Sequence, residues 1–402
     1  MRVSTNTIYQ TGTKLMLEQQ GQLMKTQQQL STGKSILTPA DDPISAAQVL
    51  NISQSASLND QYAINRGRAN ASLIQVENVL RKVTEVMQSV HGSIVYAGNS
   101  SLTDTDRKIL ATELRSNLDS LVSLANTTDE KGQFLFSGYQ SNTKPFTQSG
   151  LTVQYAGDQG QRLSQVGPAR QIAISDSGFD VFGRIKNGNG VFVTAATTTN
   201  TGTGVIDGGA VITPGSLTGN NYQINFTITA GVMTYDVINT TTATPVSVGN
   251  PYVENGTISF DGMQLSIAGT PANGDSFTVL PSSNQSIFDT MKNLITALET
   301  TASGQPGGTR LVNNLNSVLH GLENGLNNIL TKQSSIGARL QEIDALEGVG
   351  SEQNIQYEQL LSQLQDVDFA KATTDLQRQQ LYLQAAQQAY MKVSGLSLFN
   401  YL

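Results

Sequence analysis

The chain has 402 residues, with 24 basic and 31 acidic side chains and a formal net charge of -7. That length allows two or three domains, and the acidic balance argues against nucleic-acid binding, which needs a concentrated positive field. Charged residues make up only 14% of the chain, below the roughly 25% of an average soluble protein. The polarity comes instead from Gln, Asn, Ser and Thr, consistent with packing against copies of itself. Cysteine is absent, which excludes disulfides, thiolate metal sites and thiol nucleophiles.

From Met1 to Gln20 there is neither an apolar core nor a small-residue cleavage site, so a secretory signal peptide is not expected. No stretch approaches the 18 apolar residues of a membrane span. These features fit a soluble cytoplasmic protein and equally a substrate of signal-peptide-independent export. Met16, Leu23 and Leu30, spaced by sevens, predict a helix before Pro39.

A long helix is predicted from Asp42 to about Ala97. Asp42 suits the N-cap and Pro43 the first helical position, where a missing N–H costs nothing. Leu73, Val76, Leu80, Val83, Met87, Val90 and Ile94 then alternate by threes and fours, the seam of a coiled coil. Upstream the register meets Arg66, Asn59 and Ser55, and the seam weakens. At 1.5 Å per residue such a helix is on the order of 80 Å long. A second helix is predicted from Asp104 to about Ala125, capped by Asp104 or Thr103.

Near Lys131 the character changes. Gln133–Phe136 and Leu151–Tyr155 alternate between Gly, Asn and Asp and predict strands. From about Gly183 to Pro281 the chain is β-branched and rich in turns, with the clearest strands at Tyr222–Ile228, Met233–Ile238 and Thr257–Asp261. Thr201 to Gly209 reads as a surface loop. Helical pattern resumes after Gln285 and is broken by Ser303–Gly308. Leu311, Leu315, Val318, Leu322, Leu326, Ile329, Ile336, Leu340 and Ile343 then predict a second long helix, with a slip near Gln333. A last helix from about Asp368 carries Ala372, Leu376, Leu383, Ala386, Tyr390 and Val393.

Apolar stripes at opposite chain ends need a partner, because each fully buried Leu or Val contributes roughly 1.5–3 kcal/mol. The simplest partner is the other end of the same chain. The expected fold is therefore mainly α with an inserted all-β domain, the long N- and C-terminal helices pairing as a coiled-coil or helical-bundle rod and the β-rich domain at its outer tip. The expected divisions are an inner terminal-helix domain (1–40 and 361–402), a helical rod with β-hairpin elements (41–182 and 283–360) and an outer β-rich domain (183–282). The intramolecular seam is assigned to the α-helical positions Leu73 to Ile94 named above and to Leu315, Val318, Leu322, Ile329, Ile336 and Leu340.

Four passages carry a family resemblance: Met1–Thr5, Leu30–Pro43 with its Pro39-Ala-Asp-Asp-Pro43 ending, Leu118–Pro145 with Phe134-Leu-Phe-Ser-Gly-Tyr139, and Leu381–Leu402. Together they resemble the flagellin-like axial proteins of the bacterial flagellum, and among them the hook–filament junction family. Gly269–Thr278 is similar to a segment of hook-associated proteins generally. The resemblance implies a structural subunit, not an enzyme, with no cofactor. It would leave the cell through the flagellar type III export apparatus and sit, as a homo-oligomeric layer, between the first hook-associated protein and flagellin. A cytoplasmic export chaperone would bind its C-terminal helix; no nucleic acid or membrane is implied. The alternative is flagellin itself, against which the Pro39–Pro43 motif and the Leu398–Leu402 ending argue.

From Leu376 to Leu402 only Arg378 and Lys392 are charged. Leu376, Leu383, Ala386, Tyr390, Val393, Leu396, Leu398, Phe399 and Leu402 are thus the candidate assembly and chaperone contacts. Other features read as structural. Gly33-Lys34-Ser35 resembles the end of a phosphate-binding loop, but Gln28 stands where that motif needs glycine. His91 and His320 have no ligand cluster beside them. Asp41 and Asp42, with Pro43, read as a helix cap rather than paired carboxylates.

Overall fold

The computed structural model describes residues 5–99, 101–300 and 304–395. It is mainly α-helical, with an antiparallel β-rich region between long N- and C-terminal helices. The helices are α1 (Thr5–Thr32), α2 (Pro43–Ala97), α3 (Asp104–Ala125), α4 (Ile287–Thr300), α5 (Gln305–Gln365) and α6 (Phe369–Gly395). The chain divides into two compact units, residues 1–64 with 345–402 and residues 65–344. Both boundaries fall inside helices, α2 and α5.

In the first unit, α1 ends at Gly33, whose φ of +71° is the left-handed stop that glycine adopts without strain. Asp42 caps α2 by accepting from the amides of Ile44 and Ser45 at 3.1 Å each. Asp368 accepts from Lys371 N at 3.0 Å and so caps α6. The two interhelical turns are clipped together, Ser35 N donating to Gln365 O at 2.7 Å and Val367 N to Gly33 O at 2.9 Å. Asn59, one of the residues that interrupts the α2 seam, is buried and donates to Gly350 O and Asn354 Oδ1 at 2.6 and 2.7 Å. A satisfied polar residue in such a seam fixes register.

In the second unit, α3 starts with a capping box: Asp106 N donates to Thr103 Oγ1 and Thr103 N to Asp106 Oδ2. Leu110, Leu114, Leu118 and Leu121 of α3 are buried, as are Met291, Leu294 and Leu298 of α4. Arg115 donates to the Glu299 carboxylate through Nε at 3.1 Å and through Nη2 at 2.7 Å. Gly325 of α5 sits where Met87 of α2 and Ile287 of α4 converge; an added Cβ would lie 3.0 and 3.1 Å from their side chains.

Short strands follow α3: β1 (Phe146–Ser149), β2 (Thr152–Tyr155), β3 (Leu163–Gly167), β4 (Arg170–Ala173) and β5 (Ile185–Lys186). Then come β6 (Phe192–Ala196), β7 (Val205–Ile206), β8 (Ala210–Val211), β9 (Tyr222–Thr229), β10 (Val232–Asn239), β11 (Thr244–Pro251), β12 (Thr257–Phe260), β13 (Met263–Ala268), β14 (Ser276–Pro281) and β15 (Asn284–Gln285). One sheet runs β11-β10-β9-β14-β6 and a second β12-β13-β7, with β8 also on β13. Phe192, Tyr222, Ile224, Phe226, Phe277 and Val279 from the first and Ile206, Ile258, Phe260, Leu265 and Ile267 from the second form one apolar core.

Three sequence expectations need correction. Gln133–Phe136 is not a strand: only Phe134 makes a bridge, to Thr128. Gly138, at φ +73°, turns the chain at once, and Phe136 instead joins Phe182 in an edge-on contact at 5.2 Å. Helix α5 includes Gln305–Gly308, because Pro306 falls in its first turn, where no intrahelical N–H bond is lost. Thr201–Gly209 is more than a surface loop. It contains β7, and Asp275 accepts from Thr201 N and Gly202 N at 2.8 and 3.0 Å.

Between Lys186 and Lys292 there is no Lys or Arg. The acidic groups of the sandwich are engaged internally: Asp207 with Ser266, Asp236 with Gly249, Glu254 with Gly269, Asp261 with Tyr222, and Asp275 as above. The β9–β10 hairpin turns on Ala230-Gly231, both at positive φ (50° and 80°). Alanine is strained there and asparagine is not. Ala230→Asn is therefore expected to stabilise the sandwich by about 0.5–1 kcal/mol, read as a raised urea midpoint at unchanged slope.

Candidate assembly surface

Helices α1 and α6 pack against each other, and the contact follows heptad spacing. On α1 the covered positions are Tyr9, Gly12, Met16, Gln19, Leu23, Thr26 and Leu30; on α6 they are Ala372, Leu376, Gln379, Leu383, Ala386 and Tyr390. Tyr9 and Tyr390 meet edge-on with centroids 6.0 Å apart. Gly12 admits the second ring, since an added Cβ would lie 3.0 Å from it. The seam is thin. Most of its members are half-buried, and Gln19 Oε1 and Gln379 Oε1 are buried within it without a hydrogen-bond partner.

Outside that seam the unit remains apolar. Leu17 on α1 and Leu381 and Met391 on α6 are each at least 63% exposed, and Leu15, Met24 and Tyr382 are exposed beside them. Ile44, Leu50, Leu58 and Ile64 on α2 are exposed too, as are Val349, Ile355 and Leu360 on α5 and Phe369 on α6. Among the described residues, the buried apolar side chains lie in the second unit, Ala372 excepted. A large exposed apolar surface on a folded chain marks an interaction site.

The α2 positions Leu73, Val76, Leu80, Val83, Met87, Val90 and Ile94 are all buried, and so are Leu315, Val318, Leu322, Ile329 and Ile336 on α5; Leu340 is half-buried. Leu376, Leu383, Ala386 and Tyr390 lie on the α1-facing side of α6 rather than its open side. Val393 lies in α6, and its side chain, with Leu396, Leu398, Phe399 and Leu402, is outside the described residues. Arg66, which interrupts the α2 heptads, is buried and donates to Val166 O at 3.2 Å. His91 is exposed. Among the described residues no three His, Asp or Glu side chains are grouped as a metal site would require, and no helix is long and apolar enough to cross a membrane.

Asp41 has a different task from Asp42. It accepts from Leu37 N and Thr38 N at 3.0 and 2.9 Å and from Lys25 Nζ at 2.6 Å, tying the 37–41 turn to α1. Sequence reasoning placed it beside a helix dipole and missed Lys25, sixteen residues away. The Lys25 hydrogen bond above all, with the backbone donors, holds the Asp41 carboxyl at about 2.

Residues 3–141 match the bacterial flagellin N-terminal helical region, and residues 195–281 match the D2-like domain of flagellar hook-associated protein 1. Flagellar hook-associated protein 3 of Salmonella typhimurium is 28% identical over 401 residues, which cover 100% of this chain and 99% of that protein. The crystal structure of the flagellar junction protein FlgL from Legionella pneumophila is similar at 30% identity and a TM-score of 0.73, over 79% of this chain and 100% of that one. That of FlgL from Xanthomonas campestris is similar at 30% identity and a TM-score of 0.72, over 77% and 99%. The chain belongs to the flagellar hook-associated protein 3 family. As a member of that family it is a structural junction protein of the bacterial flagellum, associated there with other flagellar components, and its relatives are structural proteins rather than enzymes.

Two measurements follow from this geometry. Because the Asp41 carboxyl is depressed when folded, its stabilisation is complete above the unfolded value near 3.8 and is lost as pH falls through about 2. An NMR titration should give that low midpoint in the native chain and a clearly higher one in Lys25→Met, where the Thr38 and Leu37 amides still hold it below the ordinary carboxylate value. Separately, Leu381→Ser with Tyr382→Ser should leave the unfolding free energy from urea titration within about 0.5 kcal/mol of the parent, whereas Leu383→Ser, on the α1-facing side, should lower it.

Proposed function

We propose that this chain is the adaptor layer that joins the hook, through the first hook-associated protein, to the flagellin filament. The carrying observation is the distribution of apolar surface. Among the described residues the fully buried apolar side chains, Ala372 excepted, lie in the unit of residues 65–344, while the large apolar side chains of the terminal-helix unit are exposed or only half-buried. Such a unit is incomplete as a monomer and is completed by neighbours that cover α1, α6 and the flanking parts of α2 and α5.

In this reading residues 1–40 with 361–402 form the inner domain of the tube wall, and 41–182 with 283–360 form the helical rod. Residues 183–282 form the outer domain, which adjusts stiffness or exposure. Heptad positions Leu73–Ile94 and Leu315–Leu340 hold the rod together inside one subunit. Neighbouring copies stack laterally through the terminal helices; one axial face fits the first hook-associated protein and the other fits flagellin. The subunit passes unfolded through the flagellar type III export apparatus to the cell exterior. Before that, a cytoplasmic chaperone covers Leu376, Leu383, Ala386, Tyr390, Val393 and the segment to Leu402. No cofactor takes part.

A strain lacking the gene tests the reading. It should be non-motile, keep its hooks and shed flagellin monomers into the medium. Normal swimming with attached filaments would overturn the adaptor role, and disappearance of the main secreted filament protein would point to flagellin itself. Deleting 183–282 should leave assembly largely intact, and removing 376–402 should abolish it; a motile strain without 376–402 sinks the proposal.

A further inference from the structure

Helix α5 carries a second seam, made of polar side chains, that neither the heptad pattern nor the junction role explains. Arg310, Asn313, Asn324, Asn328 and Arg339 fall within a stripe of roughly 80° at 3.6 residues per turn, roughly 120° around the helix from the apolar seam. Each reaches the backbone of the segment 173–206, which leads from β4 into the sandwich. Arg339 Nη1 donates to Ala173 O at 3.3 Å and its guanidinium grips the buried Asp176 carboxylate. Asn328 Nδ2 donates to Asp180 O and Val181 O at 3.0 and 2.8 Å, and Asn324 Nδ2 to Lys186 O and Gly188 O at 2.9 and 2.8 Å. Asn313 donates to Gly204 O and accepts from Ile206 N, both at 3.0 Å, and Arg310 Nη1 donates to Thr198 O at 3.3 Å. As the segment advances from 173 to 188, its contacts step back along α5 from 339 to 324; the 198–206 part then meets 310–313.

We infer that this stripe is a splint: it fixes the connector and the sandwich as a rigid extension of α5, so that the sandwich is not a pendant domain. The chemistry supports this. Residues 179–183 form a single helical turn, whose last carbonyls have no partner within it, and Asn328 supplies donors for two of this turn's carbonyls. Gly188, at φ +59°, turns the chain so tightly that an added Cβ would lie 2.2 Å from Phe192 O, and Asn324 binds its carbonyl. The asparagine amides address backbone carbonyls and not side chains, so the splint sets position while leaving the connector's sequence open. His320 falls between Asn313 and Asn324 in the sequence and packs on Gly208, where an added Cβ would lie 2.5 Å from Nε2.

The test uses the full purified chain. Because the chain has no cysteine, spin labels at Val248→Cys and Leu330→Cys report one distance without background. In Asn313→Ala/Asn324→Ala/Asn328→Ala the distance distribution should broaden, and backbone exchange over 180–206 should quicken by about tenfold or more, while exchange in β9 and β14 stays slow. The exposed pair Asn314→Ala/Asn327→Ala should behave as the parent. If circular dichroism shows the triple variant unfolded, Asn324→Ala alone is read in the same way. An unchanged distribution with unchanged exchange, or equal broadening in the Asn314/Asn327 pair, would overturn the splint. Neither readout depends on the junction role, so the two proposals fail separately.

Discussion

An amphipathic helix must cover its apolar stripe, and the unequal way this chain meets that demand governs the rest of the structure. Both α2 and α5 run through the boundary between the two units. On α2 the residues from Ala69 to Ala97 that keep heptad spacing are buried, while Ile44, Leu50, Leu58 and Ile64 of the same helix are exposed. On α5 the seam positions Leu311, Leu315, Val318, Leu322, Ile329, Ile336 and Ile343 are covered, and Val349, Ile355 and Leu360 are not. Within one continuous helix, then, local helix propensity is satisfied throughout and tertiary burial only in part. Helical stability in proteins comes mostly from packing of the apolar face, so the uncovered stretches are where added partners contribute most.

The sandwich is held by different physics. Its core is apolar and self-sufficient, with Tyr222 on Phe260 at 5.0 Å and Phe226 on Phe277 at 5.7 Å. Its attachments to α5 are polar, as are the internal ties made by its carboxylates. An apolar attachment would leave a greasy face on α5 if the sandwich opened; an asparagine face is readily hydrated instead. The buried Arg339–Asp176 pair at 2.9 Å sits at the start of the connector. Breaking a buried pair strands a charge and typically costs about 3–5 kcal/mol, so this end is the least tolerant of change.

Much of this was legible because the signals are local. Asp42-Pro43, Thr103 and Gly33 announce helix ends through bonds to residues within a few positions, and heptads announce the seams. What stayed hidden depends on residues distant in sequence. Nothing near Asn324 or Asn328 shows that their amides meet carbonyls about 140 positions earlier, because a backbone carbonyl has no signature. Phe134–Phe136 reads as a strand by alternation, yet Gly138 and the aromatic pocket around Phe182 decide otherwise. Asp41 was assigned to a helix dipole because Lys25 is on a different helix.

The C-terminal helix shows why periodicity names a covered stripe without naming its cover. Leu376, Leu383, Ala386 and Tyr390 have the regular spacing, and regular spacing is what a single long partner selects; that partner is α1. A two-helix pair can cover only one stripe on each member. Leu381, Tyr382 and Met391 on α6, and Leu15, Leu17 and Met24 on α1, lie off that stripe and remain exposed. Covering them requires a further surface beyond the α1–α6 pair. On the proposed adaptor reading, the apolar content beyond one heptad stripe is the part of the sequence that serves assembly, and it resides in residues a coiled-coil reading treats as background.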